Sequence, residues 1–87
     1  MELMQKKARL HEELDQRDSA ISTWHRILGV DACFESAYRN LMILYADGGE
    51  KDRALETFKR CQNTLQKELA TQPEAPTLLL YDQILSR

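Results

Sequence analysis

Breakers are scarce in this chain: its 87 residues hold three glycines (Gly29, Gly48, Gly49) and two prolines (Pro73, Pro76). That excludes a turn-dense, loop-rich architecture, because these residues are the main punctuators of regular structure. Valine occurs once, at Val30, and no segment alternates apolar and polar residues with a period of two, so nothing reads as a strand. No apolar run approaches the roughly 20 residues needed to cross a bilayer. The opening stretch, MELMQKKARLHEELDQ, has neither an apolar core nor a small-residue cleavage site, so no signal peptide is visible. Neither sign of charge dominates, with 12 Lys and Arg against 14 Asp and Glu for a net charge of -2. Such a balance does not suit wrapping nucleic acid, which draws on neutralised phosphates. Two cysteines, Cys33 and Cys61, allow at most one bridge. Both sit in helix-like apolar segments, and with no export signal they read as reduced, buried thiols of a cytoplasmic protein. A chain this short buries about 60–65% of its unfolded surface, which leaves no room for a second core or a deep enclosed active site.

What the chain does have is helical periodicity between its few breakers. A first helix is expected over about Glu2 to Asp15, with Leu3, Leu10 and Leu14 on one stripe and Met4, Ala8 and His11 on another. Asp18 is a candidate cap for a second helix that buries Ala20, Trp24, Ile27 and Leu28. Asp31 similarly precedes a third, which carries Phe34, Ala37, Tyr38, Leu41, Met42, Leu44 and Tyr45 and ends at Gly48-Gly49. A fourth begins near Asp52 with Ala54, Leu55, Phe58, Cys61, Leu65 and Leu69 at helical spacing. The prolines set off a last helix with Leu78, Tyr81, Ile84 and Leu85. Short connections between helices make neighbours antiparallel.

Offsetting the sequence against itself by 34 residues places Ala8 on Met42, Leu10 on Leu44, His11 on Tyr45, Asp18 on Asp52, Ala20 on Ala54, Trp24 on Phe58 and Arg26 on Arg60. A two-helix unit of about 34 residues is the tetratricopeptide signature. The small residue (Ala20, Ala54) lets two helix axes approach, and the aromatic four positions later (Trp24, Phe58) shares its face and fills the gap between hairpins. The expected fold is therefore all-α: a TPR-like right-handed stack of antiparallel hairpins with about five helices. It divides into a first repeat over about 1–34, a second over about 35–68 and a capping helix over about 75–86. Solenoid repeats bury their faces on neighbours and about three are usually needed. The chain is accordingly expected to be the C-terminal part of a longer protein, or to pair with itself.

The stretch ESAYRNLMILYADGGEKDRALETFKRCQNTLQKELATQPEAPTLLLYDQIL is more particular than a generic repeat. It resembles the bacterial transcriptional activator domain of antibiotic-regulatory (SARP-type) activators. Glu35, Arg39, Leu41, Met42, Leu44 and Tyr45 match the family's first block. Gly49, Ala54, Leu55, Phe58 and Arg60 match the second, and Glu68, Leu69, Pro73, Thr77, Leu80, Tyr81, Ile84 and Leu85 the last. Two positions depart: Ala70 stands where the family has Gly, and Ala32 where it has Pro after Asp31. The resemblance implies a cytoplasmic, non-enzymatic regulatory domain that follows a winged-helix DNA-binding domain. Its partners would be proteins: its own DNA-binding domain, a second copy of itself in a homodimer, or the transcription machinery. The alternative is a stand-alone TPR adaptor that binds a peptide or helix and has no link to transcription.

No residue set carries a catalytic or metal motif. His11 holds a packing position of the repeat, and His25 beside Trp24 reads as surface. Cys33, Cys61 and a histidine lack Cys-x-x-Cys or His-x-x-x-His spacing. Gly48-Gly49 precedes a helix without the Lys-Ser/Thr of a phosphate loop. Ser19, Ser22 and Ser36 have no evident His/Asp companions. Glu12, Glu13 and Asp15 read as a solvated face. Arg53, Lys59 and Arg60 read as solubilising on an acidic domain, so no direct nucleic-acid contact, cofactor, metal or membrane partner is expected. Two protein-binding surfaces remain. By repeat position Gln5, Arg9, Glu12, Ser36, Arg39, Ile43 and Asp47 line a groove; of the chaperone-clamp residue pattern only Asn40 is present. On the last helix Leu78, Leu79, Leu80 and Tyr81 are consecutive and cannot all face one core, so at least one is free for a partner.

Overall fold

The computed structural model describes the backbone of residues 2–87 and the side chains of residues 16–87. Its described residues form four helices and no strand: α1 (Glu2–Val30), α2 (Glu35–Asp47), α3 (Lys51–Leu69) and α4 (Ala75–Leu85). The count is four where about five are expected, because the first two expected helices are one. Asp18 lies inside α1 and starts nothing. The physical reason is local. Neither Gly nor Pro occurs between Asp15 and Ala20, and a residue with capping ability does not end a helix whose backbone bonds continue through it.

Each helix turns an apolar stripe inward. On α2 these are Ala37, Tyr38, Leu41, Met42 and Tyr45; on α3 they are Ala54, Phe58, Cys61 and Leu65. Leu28 of α1 and Ile84 of α4 complete the buried cluster, with Ile21, Trp24, Ile27, Leu80 and Tyr81 packed around it. Burying each large side chain contributes about 1.5–3 kcal/mol. Ala37 and Ala54 are completely buried, as small residues at a close approach of two axes must be. Trp24 and Phe58 face the same core, but their surroundings are not the same. Phe58 is buried and stacked on Tyr81, with ring centroids 3.9 Å apart and planes 17° apart, while Trp24 stays half-buried.

Long-range bonds set the helix directions. Arg17 of α1 donates from Nε and Nη2 to the carbonyl of Leu44, at 3.3 and 3.2 Å, and Tyr38 donates from Oη to the carbonyl of Ala32 at 2.7 Å. The far end of α2 thus meets the middle of α1, and the start of α2 meets the end of α1, so the two run antiparallel. Lys51 Nζ donates to the Leu85 carbonyl at 3.0 Å, which with the Phe58–Tyr81 stack makes α3 and α4 antiparallel. α2 and α4 run parallel: Arg39 Nη1 reaches Thr77 Oγ1 at 2.8 Å near their starts, and Arg87 Nη1 reaches Asp47 Oδ1 at 3.0 Å near their ends.

The turns show what local chemistry can do. Asp31, expected to cap α2, instead accepts from the Cys33 N–H at 3.1 Å and closes the α1–α2 turn, while Phe34 is the N-cap. Gly49 has φ 79°, a left-handed conformation that glycine adopts without a Cβ clash. At Gly48 a Cβ would run into the guanidinium of Arg17, which would have to shift.

Candidate functional site

The strongest side-chain cluster joins α2 to α4. Helix α4 starts at Ala75 with Pro76 in its first turn, and Glu74, its N-cap, makes no side-chain cap bond. The cap comes from another helix. Glu35 Oε2 accepts from the Glu74 N–H at 2.9 Å and from Thr77 Oγ1 at 2.6 Å. An anionic carboxylate at a helix N-terminus meets unpaired N–H groups and the positive end of the helix dipole. Arg39 closes the cluster. Its guanidinium lies 3.6 Å from Glu35 Oε2, donates to Thr77 Oγ1 and donates to Ser36 Oγ at 3.1 Å. Thr77 is fully buried, so its hydroxyl is satisfied on both sides inside the protein, as a buried polar group requires.

Of the expected groove residues, Arg39 bonds Thr77 of α4 and Ser36 accepts from Arg39. Ile43 is 39% exposed, and Asp47 is exposed and paired with Arg87. Gln5, Arg9 and Glu12 lie outside the residues whose side chains are described, as do His11 and the acidic residues Glu13 and Asp15. On α4, Leu79 is 62% exposed and Leu78 39%, while Leu80 and Tyr81 pack against the core. α2 thus leaves Ile43 exposed, and α4 leaves Leu78, Leu79 and Leu85 exposed, beside a buried polar latch.

Sequence spacing did not expose that latch. Glu35 and Thr77 are 42 residues apart, and no periodicity joins them; their only signal was that Glu35, Arg39 and Thr77 all fall in blocks of the family resemblance. Nor did it expose two contacts of α1. Arg17 anchors at Leu44, and exposed His25 hydrogen-bonds the Tyr45 hydroxyl at 3.0 Å through Nε2.

Both cysteines are free. Cys61 is buried on α3, and burial, then the Glu35 carboxylate, pushes its thiol up to about 12, with Arg39 pulling the other way. Cys33, expected to be a buried helical thiol, lies half-buried in the α1–α2 turn. Its thiol is also raised, by desolvation and then by Asp31 and Glu68. Neither is an activated nucleophile, which needs a depressed pKa. No helix among the described residues is long and apolar enough to cross a membrane.

These helices, each laid antiparallel on its predecessor and latched at the C-terminal end, define an all-α stacked domain. The chain belongs to the bacterial transcriptional activator domain family, whose model matches residues 1–85. It is thus a transcriptional activator domain, of a regulatory family and not a family of enzymes. No curated protein and no solved structure matches the chain.

Proposed function

We propose that this domain is the cytoplasmic protein-interaction part of its activator and that it works by presenting the α2/α4 face to another polypeptide. The partner is a second copy of the chain or the DNA-binding domain of the same activator, with promoter recognition done by that DNA-binding domain. The TPR-like reading is supported by three antiparallel neighbour pairs and by the parallel pairing of α2 with α4. The observation that carries the proposal is the exposure of leucines on α4. Leu78, Leu79 and Leu85 stand at 39, 62 and 44% exposure on one short helix, although the same helix is latched in place by Glu35 and Arg39. A rigidly held helix with exposed leucines fits a docking element, since little further ordering is lost when it binds.

The test is the solution mass of the chain by light scattering across a concentration series, with Leu79→Glu as the variant. Self-association gives a mass above 10.1 kDa that returns to the single-chain value in Leu79→Glu. A single-chain mass at every concentration removes self-association. If Leu79→Glu in the intact activator also leaves promoter activation unchanged, the α2/α4 assignment fails altogether.

A further inference from the structure

We propose a second binding site on a different face: an arginine-bearing cleft between α1 and α3, continued by a stripe of cations along α3, that receives an acidic, extended peptide segment. The cleft exists because of the packing order. α1 and α3 both lie on α2 and do not pack on one another among the described residues, so a gap opens over the last buried aromatic of α2, Tyr45. The gap measures about 390 Å³ and is lined by His25, Tyr45, Arg53, Glu56, Thr57 and Arg60. No α4 residue lines it, so the proposal stands or falls apart from the α2/α4 face.

Its lining is polar and carries two guanidinium groups, Arg53 and Arg60, against one carboxylate, Glu56. Tyr45 forms the floor, with its hydroxyl held by His25 at 3.0 Å and the Arg53 guanidinium 6.0 Å from its ring centre. Arg53 is shared with Glu50 at 3.7 Å, whereas Arg60 is exposed and has no ion-pair partner among the described residues. Glu56 is the one acidic residue in the lining. Along α3 the same helical stripe reads Arg53, Thr57, Arg60, Thr64, Lys67: cations seven residues apart with hydroxyls between them, all on one side of the helix. At 1.5 Å per residue, successive cations are about 10 Å apart and the outer two about 21 Å apart. An extended chain covers that distance in roughly six residues.

Charge complementarity selects the occupant. Carboxylates match guanidinium forks in bidentate pairs, whereas the Thr57 hydroxyl is spent on the Arg53 carbonyl at 2.7 Å. Nucleic acid is the poorer fit. Its binding is dominated by the summed field of many phosphate contacts, and the net charge of this chain is -2.

Fluorescein-labelled hexaglutamate, titrated with the full chain at low salt and followed by anisotropy, tests this directly. Saturable binding is expected, weakening with added salt. Arg60→Glu should weaken it at least about tenfold, the loss of one strong charge-assisted contact. Arg60→Gln should weaken it too, and both variants should keep the wild-type melting temperature, because Arg60 makes no bond in the fold. Arg26→Glu makes the same charge change on α1 outside the cleft and should alter binding less than about twofold. The proposal is overturned if the peptide does not bind at low salt. It is also overturned if Arg26→Glu weakens binding as much as Arg60→Glu, or if a short DNA duplex binds more tightly than the peptide and loses that binding in Arg60→Glu.

Discussion

Replacing Ala70 by Gly should make this domain more stable, although alanine is ordinarily the better residue near a helix. Ala70 ends α3 with φ 52° and ψ 38°, the one non-glycine residue at positive φ among the described residues. Its N–H bonds the Gln66 carbonyl at 3.1 Å, the left-handed cap that usually carries glycine. A left-handed conformation costs an L-residue about 1–2 kcal/mol, while glycine costs about 0.5–1 kcal/mol in unfolded-chain freedom. Ala70 is exposed, so no packing is lost with its methyl group. At the midpoints of these ranges the net gain is about 0.75 kcal/mol, or roughly 3–6 °C in melting temperature for a domain of this size. Thermal unfolding followed by circular dichroism reads it. Ala70→Val should move the midpoint down, because a β-branched residue tolerates this region worst. An unchanged or lower midpoint for Ala70→Gly would contradict a strained left-handed end of α3.

Other expectations follow from the same contacts. Thr77→Val keeps the shape but removes the hydroxyl between Glu35 and Arg39, and should cost about 1–3 kcal/mol in urea unfolding; a wild-type midpoint contradicts the latch. Gly48→Ala displaces the Arg17 guanidinium from the Leu44 carbonyl and should cost about 0.5–1.5 kcal/mol. In the double variant with Arg17→Ala that cost should largely vanish, so simple additivity would be the contrary result. A chromogenic disulfide reagent should label Cys33 in the folded chain and reach Cys61 only on unfolding; equal rates contradict the burial of Cys61. The folded state keeps the Cys61 proton up to about pH 12, while the unfolded thiol releases it near 9.0. Stability contributed by this group is therefore complete below pH 9 and is lost as pH rises toward 12. Cys61→Ala should flatten that decline.

The three C-terminal helices were legible because their signals agree. Gly48-Gly49 and the two prolines separate them, and Ala54, Phe58, Cys61 and Leu65 repeat at helical spacing on the face that is buried. The expected break near Asp18 was misleading because capping ability shows only where a helix can start, and nothing from Gln16 to Ser19 forces one to stop. The latch illustrates the other limit. Glu35 and Arg39 read correctly as neighbours on one helix, but which way they face is set by α4, whose Thr77 and Glu74 supply the partners. Repeat position alone therefore gives no sign of the bonds that Arg39 makes to Glu35, Thr77 and Ser36. Arg17 shows the same limit, since its anchor is a backbone carbonyl, which no side-chain pattern reports. The cleft over Tyr45 also had no sequence signature, because it exists only where α1 and α3 both lie on α2 and leave a gap.

The proposed docking role of a latched α4 is tested by the light-scattering mass of the wild-type chain beside Leu79→Glu. The wild-type mass is expected to climb above 10.1 kDa with concentration, and the variant to stay at that value. Superimposable single-chain masses for the two proteins at every concentration would contradict pairing through this face.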